Sequence, residues 1–159
     1  MDLREGEQVL KIYHHHPTPF AVKLMKTLLA FLPFFFLIYL AKDSFTTKGL
    51  VVAHGVLFMI FALVCAYISI VYWLDKLVVT NERIIYINWV GLITRKESEA
   101  FLNDIEEIQT QEKGFISKFY IFDYGRFRLE TAASSVSIDY NEAPDPEGIR
   151  KFIYHIKKQ

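Results

Sequence analysis

His14, His15 and His16 are the first residues whose type could do chemistry, because neutral imidazole is the commonest transition-metal ligand. Their spacing works against a shared ion. Three adjacent side chains diverge in an extended segment, and no nearby Cys, Asp or Glu completes a coordination sphere. The segment is expected to hold no metal. Cys65, the only cysteine, excludes an internal disulfide or a cysteine-rich zinc site, and its apolar surroundings make it an inert thiol. Glu106 and Glu107 are the nearest thing to a carboxylate pair, but adjacent strand residues point to opposite faces. There is no G-x-S-x-G, no Gly-rich phosphate loop and no HExxH. No catalytic residue and no cofactor are expected.

His54 matters because of where it stands. From Leu50 to Leu74 the chain has 25 residues whose only other readily ionisable group is the Cys65 thiol. At about 1.5 Å of helical rise each they exceed a roughly 30 Å hydrocarbon core. Tyr72 and Trp73 end the run as interfacial aromatics, and Asp75 and Lys76 stop it. An intramembrane ionisable residue is a functional candidate by default, yet His54 lies only about one turn inside the span, where anchoring at the interface is the simpler role. Ala62 with Ala66, and Cys65 with Ser69, give small-xxx-small spacings that let another backbone approach.

A second apolar run, Leu24 to Ala41, has 18 residues and spans if Lys26 snorkels and Tyr39 sits near the far headgroups. Pro33 frees a backbone carbonyl that a neighbouring helix would have to satisfy. Residues 42–49 form a polar turn between the runs, so the pair is expected to be a transmembrane hairpin with both termini on one side. Lys11, Lys23 and Lys26 before it, and Lys76, Arg83 and Arg95 after it, outnumber Lys42 and Lys48 in the turn, which favours cytoplasmic termini. The opening segment, residues 1–23, is too long and too charged for a secretory leader and is expected to be retained. Within it Gln8 to Tyr13 reads as one short strand, with Leu10 and Ile12 on the side expected to be buried and Pro17 and Pro19 ending it.

Hydrophobic residues make up 52% of the chain, but the excess is confined to the first half; residues 75–159 have the composition of a small globular domain. They carry 12 Lys or Arg against 14 Asp or Glu, a net charge of minus 2, so they lack the basic excess of a nucleic-acid binder. Strands are expected at Leu77–Thr80 and Arg83–Val90, joined through Asn81 and Glu82 and closed by Gly91, then at 95–101, 105–113, 126–131 and 136–140. An apolar turn is expected from Gly114 to Gly125. Arg126, Arg128 and Glu130 alternate with Phe127 and Leu129 and are expected to face outward. A last helix opens with Asp145 as cap, Pro146 at its first position and Glu147 in its first turn. Ile149, Phe152, Ile153 and Ile156 fall on one face.

The succession GEQVLKIYHHHP, two apolar runs, WLDKLVVTNERIIYINWVGLITRKESEAFLNDIEEIQ, GFISKFYIFDYGRFRLETA and DPEGIRKFI resembles the membrane-flanked bacterial PH-like domain family, of the YdbS type. Thr80, Asn81, Arg83, Ile105, Ile108, Tyr124 and Gly125 carry the likeness best, as fold markers. The resemblance implies an α+β membrane protein: a two-helix transmembrane hairpin, then a PH-like antiparallel sandwich with a C-terminal capping helix, at the bacterial cytoplasmic membrane.

Three functions are open to a chain of this organisation. The first is a non-enzymatic membrane protein whose PH-like module binds a protein partner or another copy of itself. The second is an accessory subunit of a transport or export system, with helices assembled around His54. The third is a hydrolase, which no motif supports. Eukaryotic PH-like folds bind phosphoinositides through basic residues in the first hairpin turn; here Asn81, Glu82 and Arg83 offer one positive charge against one negative. Arg83, Arg126 and Arg128 remain the candidates for contact with a partner or headgroup, alongside the lipid bilayer around the helices.

Overall fold

The computed structural model describes residues 3–112, 124–132 and 137–158; of the apolar turn expected from Gly114 to Gly125 only Tyr124 and Gly125 fall among them, and these two begin a strand instead. The chain forms two compact units: residues 19–70, and a β-rich unit assembled from residues 1–18 together with 71–159.

The first unit holds most of two helices, α1 (Pro17–Leu40) and α2 (Thr47–Leu74), joined through a 3-10 turn at Lys42–Ser44. At about 1.5 Å per residue they are roughly 36 and 42 Å long, enough to cross a bilayer. Neither buries any of its most apolar 18-residue window, which separates them from core helices of a soluble protein. Phe31 meets Phe61 edge-on at 5.3 Å, so the two helices pack as a hairpin. Helix α1 starts at Pro17, seven residues before the expected Leu24. Proline's fixed φ and missing N–H suit a first helical position, so the prolines that end the preceding strand also begin the helix.

The β-rich unit has two antiparallel sheets. One has the order β1 (Val9–His14), β2 (Lys76–Thr80), β3 (Arg83–Val90), β4 (Thr94–Phe101); the other has β5 (Ile105–Glu112), β6 (Tyr124–Thr131), β7 (Ser137–Pro144). Strand β1 precedes the helical hairpin and β2 follows it, so the connection between the first two strands is the hairpin itself. The sheets face each other across Leu77, Val79, Ile84 and Tyr86 on one side and Ile108, Phe127, Leu129, Ile138 and Tyr140 on the other. Burying an aliphatic side chain of this kind contributes about 1.5–3 kcal/mol. Val78, Ile85 and Ile87 form a second buried cluster with Trp89 on the opposite face of β2 and β3.

Helix α3 (Pro146–Lys157) closes the sandwich through Ile149 and Ile153, both buried, with Phe152 and Ile156 partly so. The Asp145 carboxylate accepts from the Gly148 amide at 2.8 Å. Gly125 has a steric reason: a Cβ there would stand 2.2 Å from the Gln111 carbonyl oxygen.

Two expectations about facing fail at bulges. Leu10 and Ile12 are 45% and 47% exposed. The register between β1 and β2 slips between Val9 and Lys11, and beyond it Tyr13 is the residue that packs on the core while Ile12, opposite Val78, points outward. Glu106 and Glu107 are both exposed because the pairing of β5 with β6 slips between Ile105 and Glu107. An extra residue removes the alternation that would have sent them to opposite faces.

Candidate functional site

The four-stranded sheet has two unlike ends. Strands β1 and β3 begin, and β2 ends, at the far one; β1 runs into α1, and α2 into β2, at the other, here the junction end.

At the far end the turn between β2 and β3 holds the N-terminal segment. Asn81 accepts from the Gln8 amide at 2.8 Å through its side-chain oxygen and donates to the Gly6 carbonyl at 3.2 Å. Thr80 Oγ1 accepts from the amides of Glu82 and Arg83 and donates to the Glu7 carboxylate at 2.8 Å. Arg83 grips both Glu7 oxygens, each at 2.9 Å, and donates to Glu99 at 2.5 Å. The Arg83 guanidinium therefore holds the Glu7 carboxyl down at about 2, while these carboxylates push the arginine upward. Arg83 is 5% exposed and Glu7 6%, so this ion pair ties residues 4–8 to the sheet. Beside it lies a polar cleft of about 470 Å³, lined by Asn81, Glu82, Phe101, Leu102, Asn103, Asp104, Ile156 and Lys157.

At the junction end the three histidines separate. His14 lies 6.4 Å from the Trp73 ring, His15 4.9 Å from Tyr140, and His16 stacks on Tyr124 at 5.7 Å. His15 Nε2 stands 3.5 Å from Asp75, whose other oxygen accepts from the Trp89 amide at 2.6 Å. The Tyr72 hydroxyl donates to the His15 carbonyl at 2.6 Å, and the His16 amide to Glu142 at 2.9 Å. Burial pushes the phenols of Tyr86 and Tyr140 well above their ordinary value. Among the described residues, His15 Nδ1 and the Tyr140 hydroxyl are buried without a hydrogen-bond partner. Both members of this His–Asp pair are enclosed, with side chains 8% and 12% exposed. Among the described residues, no three His, Cys, Asp or Glu side chains converge as a metal cage.

The remaining candidates lie apart. Arg126 pairs with Asp139 and Arg128 with Glu130 on the outer face of β6, where a polar cleft of about 250 Å³ also takes in Gln109, Thr110 and Gln111. The Asp139 carboxylate raises Arg126 further above its ordinary value. His54, in the helical unit, shares its Nδ1 with the Leu50 carbonyl at 3.0 Å and packs 6.1 Å from Phe35.

Sequence reading missed Glu7, His15 and Asp75 as parts of these closures. Glu7 and Arg83 are 76 residues apart, and no periodicity links them. The one usable signal was the likeness that singled out Thr80, Asn81 and Arg83, which prove to be the side chains gripping residues 6–8. No curated protein and no solved structure matches the chain. The family model for the bacterial PH domain matches residues 21–157, and with this two-sheet sandwich, its closing helix and the helical hairpin, the chain belongs to the bacterial PH domain family.

Proposed function

We propose that the protein is a non-enzymatic integral membrane protein that presents its PH-like module at the cytoplasmic face and binds a protein partner, or a second copy, through the far end. The observation that carries this reading is topological. Both connections to the helices leave from the junction end, so the polar cleft of about 470 Å³ sits at the opposite end of the sheet, clear of both. Its lining of Glu82, Asn103, Asp104 and Lys157 mixes both charges, which suits a polar protein surface better than a phosphate.

Phosphoinositide recognition fits poorly. Arg83, the cation of the Asn81–Glu82 turn, is buried between two carboxylates, and the connection between the first two strands is a pair of apolar helices. PH-like domains are generally non-catalytic, in keeping with the enclosed His15–Asp75 pair.

The test is photocrosslinking in native membranes from a benzoylphenylalanine placed at Asn103, which lines the cleft, against one at Glu112, at the other end of β5. A discrete adduct from Asn103 and none from Glu112 is expected. No adduct at Asn103, or the same products at both, would sink the reading.

A further inference from the structure

The hairpin between β3 and β4 ends in an apolar tip. Val90, Leu92 and Ile93 are 52%, 45% and 96% exposed, and Gly91, at φ 73°, makes the turn. Scattered exposed apolar residues are ordinary, but three within four positions at a hairpin tip need a partner. Register says where the tip lies. Lys76, the first residue of β2, pairs with Ile87, so β3 runs on through Asn88, Trp89 and Val90 past the start of β2. At about 3.3 Å per residue the tip overshoots that point by roughly 10 Å. Only Asp75 separates Lys76 from the end of α2. The tip therefore projects from the end of the sheet at which the chain passes into both apolar helices.

We propose that this tip inserts into the headgroup–acyl boundary of the membrane that the helices span, as a third point of attachment. Continuity with the helices argues for lipid as the occupant. The chemistry around the tip agrees: Trp89 is half-buried just behind it, Trp73 in the last turn of α2 is 71% exposed, and Lys76, Arg95 and Lys96 stand at the same end. Indole rings settle at the headgroup level, and basic side chains flanking them meet anionic headgroups.

The experiment uses the full chain with Cys65→Ala in nanodiscs, carrying Ile93→Cys or Asn103→Cys labelled with an environment-sensitive nitrobenzoxadiazole dye. Ile93 is almost fully exposed, so its substitution leaves the fold intact. The expected result is blue-shifted emission at position 93 that spin-labelled lipid quenches at least twofold more than at position 103, with aqueous iodide showing the reverse order. A label at 93 that iodide quenches as strongly as at 103 would overturn the proposal. Protection from both quenchers would overturn it too, since a second copy would then cover the tip. A Trp73→Phe protein with Ile93 intact reads the same point from Trp89 alone: brominated lipid should quench it, and Ile93→Asp should relieve that quenching.

Discussion

The far end of the four-stranded sheet is closed by ions and the junction end by rings. At the far end one arginine meets two carboxylates and a threonine hydroxyl, and these contacts hold residues 4–8 in place. At the junction end Tyr86, Tyr140, His15 and Tyr72 contact one another in sequence, and a single acid, Asp75, ties them to β3. Ionic closure fixes geometry tightly, but each partner depends on the other: a buried charge that loses its mate keeps its desolvation cost. Aromatic closure spreads its contribution over many contacts and tolerates loss of any one polar atom. The end near the chain connections is thus the more forgiving, and the end beside the polar cleft the more exacting.

Mutations should expose this asymmetry. Arg83→Met leaves Glu7 buried without its cation and should lower the stability of the full-length protein by about 3–5 kcal/mol, read by chemical unfolding in detergent. A loss near zero would mean that the far end is closed by something else. Acid should act at the same end by a smaller amount. Glu7 titrates at about 2, below its ordinary 4.5, so its contribution is complete above the ordinary value and is lost as pH falls from about 4.5 towards 2. The protection of Val9–Tyr13 amides against hydrogen exchange, relative to their intrinsic rates at each pH, should therefore fall across that window in wild-type protein and show no such step in Glu7→Gln. The smallest effect belongs to the junction. Asp75→Asn keeps an oxygen to accept from the Trp89 amide and should cost only about 1 kcal/mol by the same unfolding measurement.

What the sequence discloses follows from how local each cause is. The terminal helix was legible to the residue at its start because cap, proline and apolar stripe all lie within it. Strand β3 was equally plain, since six of its eight residues are β-branched or aromatic and Gly91 punctuates its end. The N-terminal strand was visible as a strand, but its inward face was not. A bulge against β2, reached only after the chain has passed through two helices, decides which parity points at the core. The ion pair between Glu7 and Arg83 was hidden for the same reason: its members meet only once β1 has paired across that insertion. Arg126 and Arg128 were correctly read as outward, because alternation in β6 is a local property that also sets Glu130 beside Arg128, while Asp139, the partner of Arg126, lies on β7 and depends on strand pairing.

We propose that a two-helix hairpin crosses the membrane and leaves the β-rich unit, including its first strand, on the cytoplasmic side. Single cysteines at Ser44, in the turn between the helices, and at Asn103, beside the far cleft, test it most directly in a Cys65→Ala background. In sealed right-side-out spheroplasts a membrane-impermeant maleimide should label Ser44→Cys at once and Asn103→Cys only after permeabilisation. Labelling of Asn103→Cys in the sealed state, whether alone or together with Ser44→Cys, would rule that arrangement out.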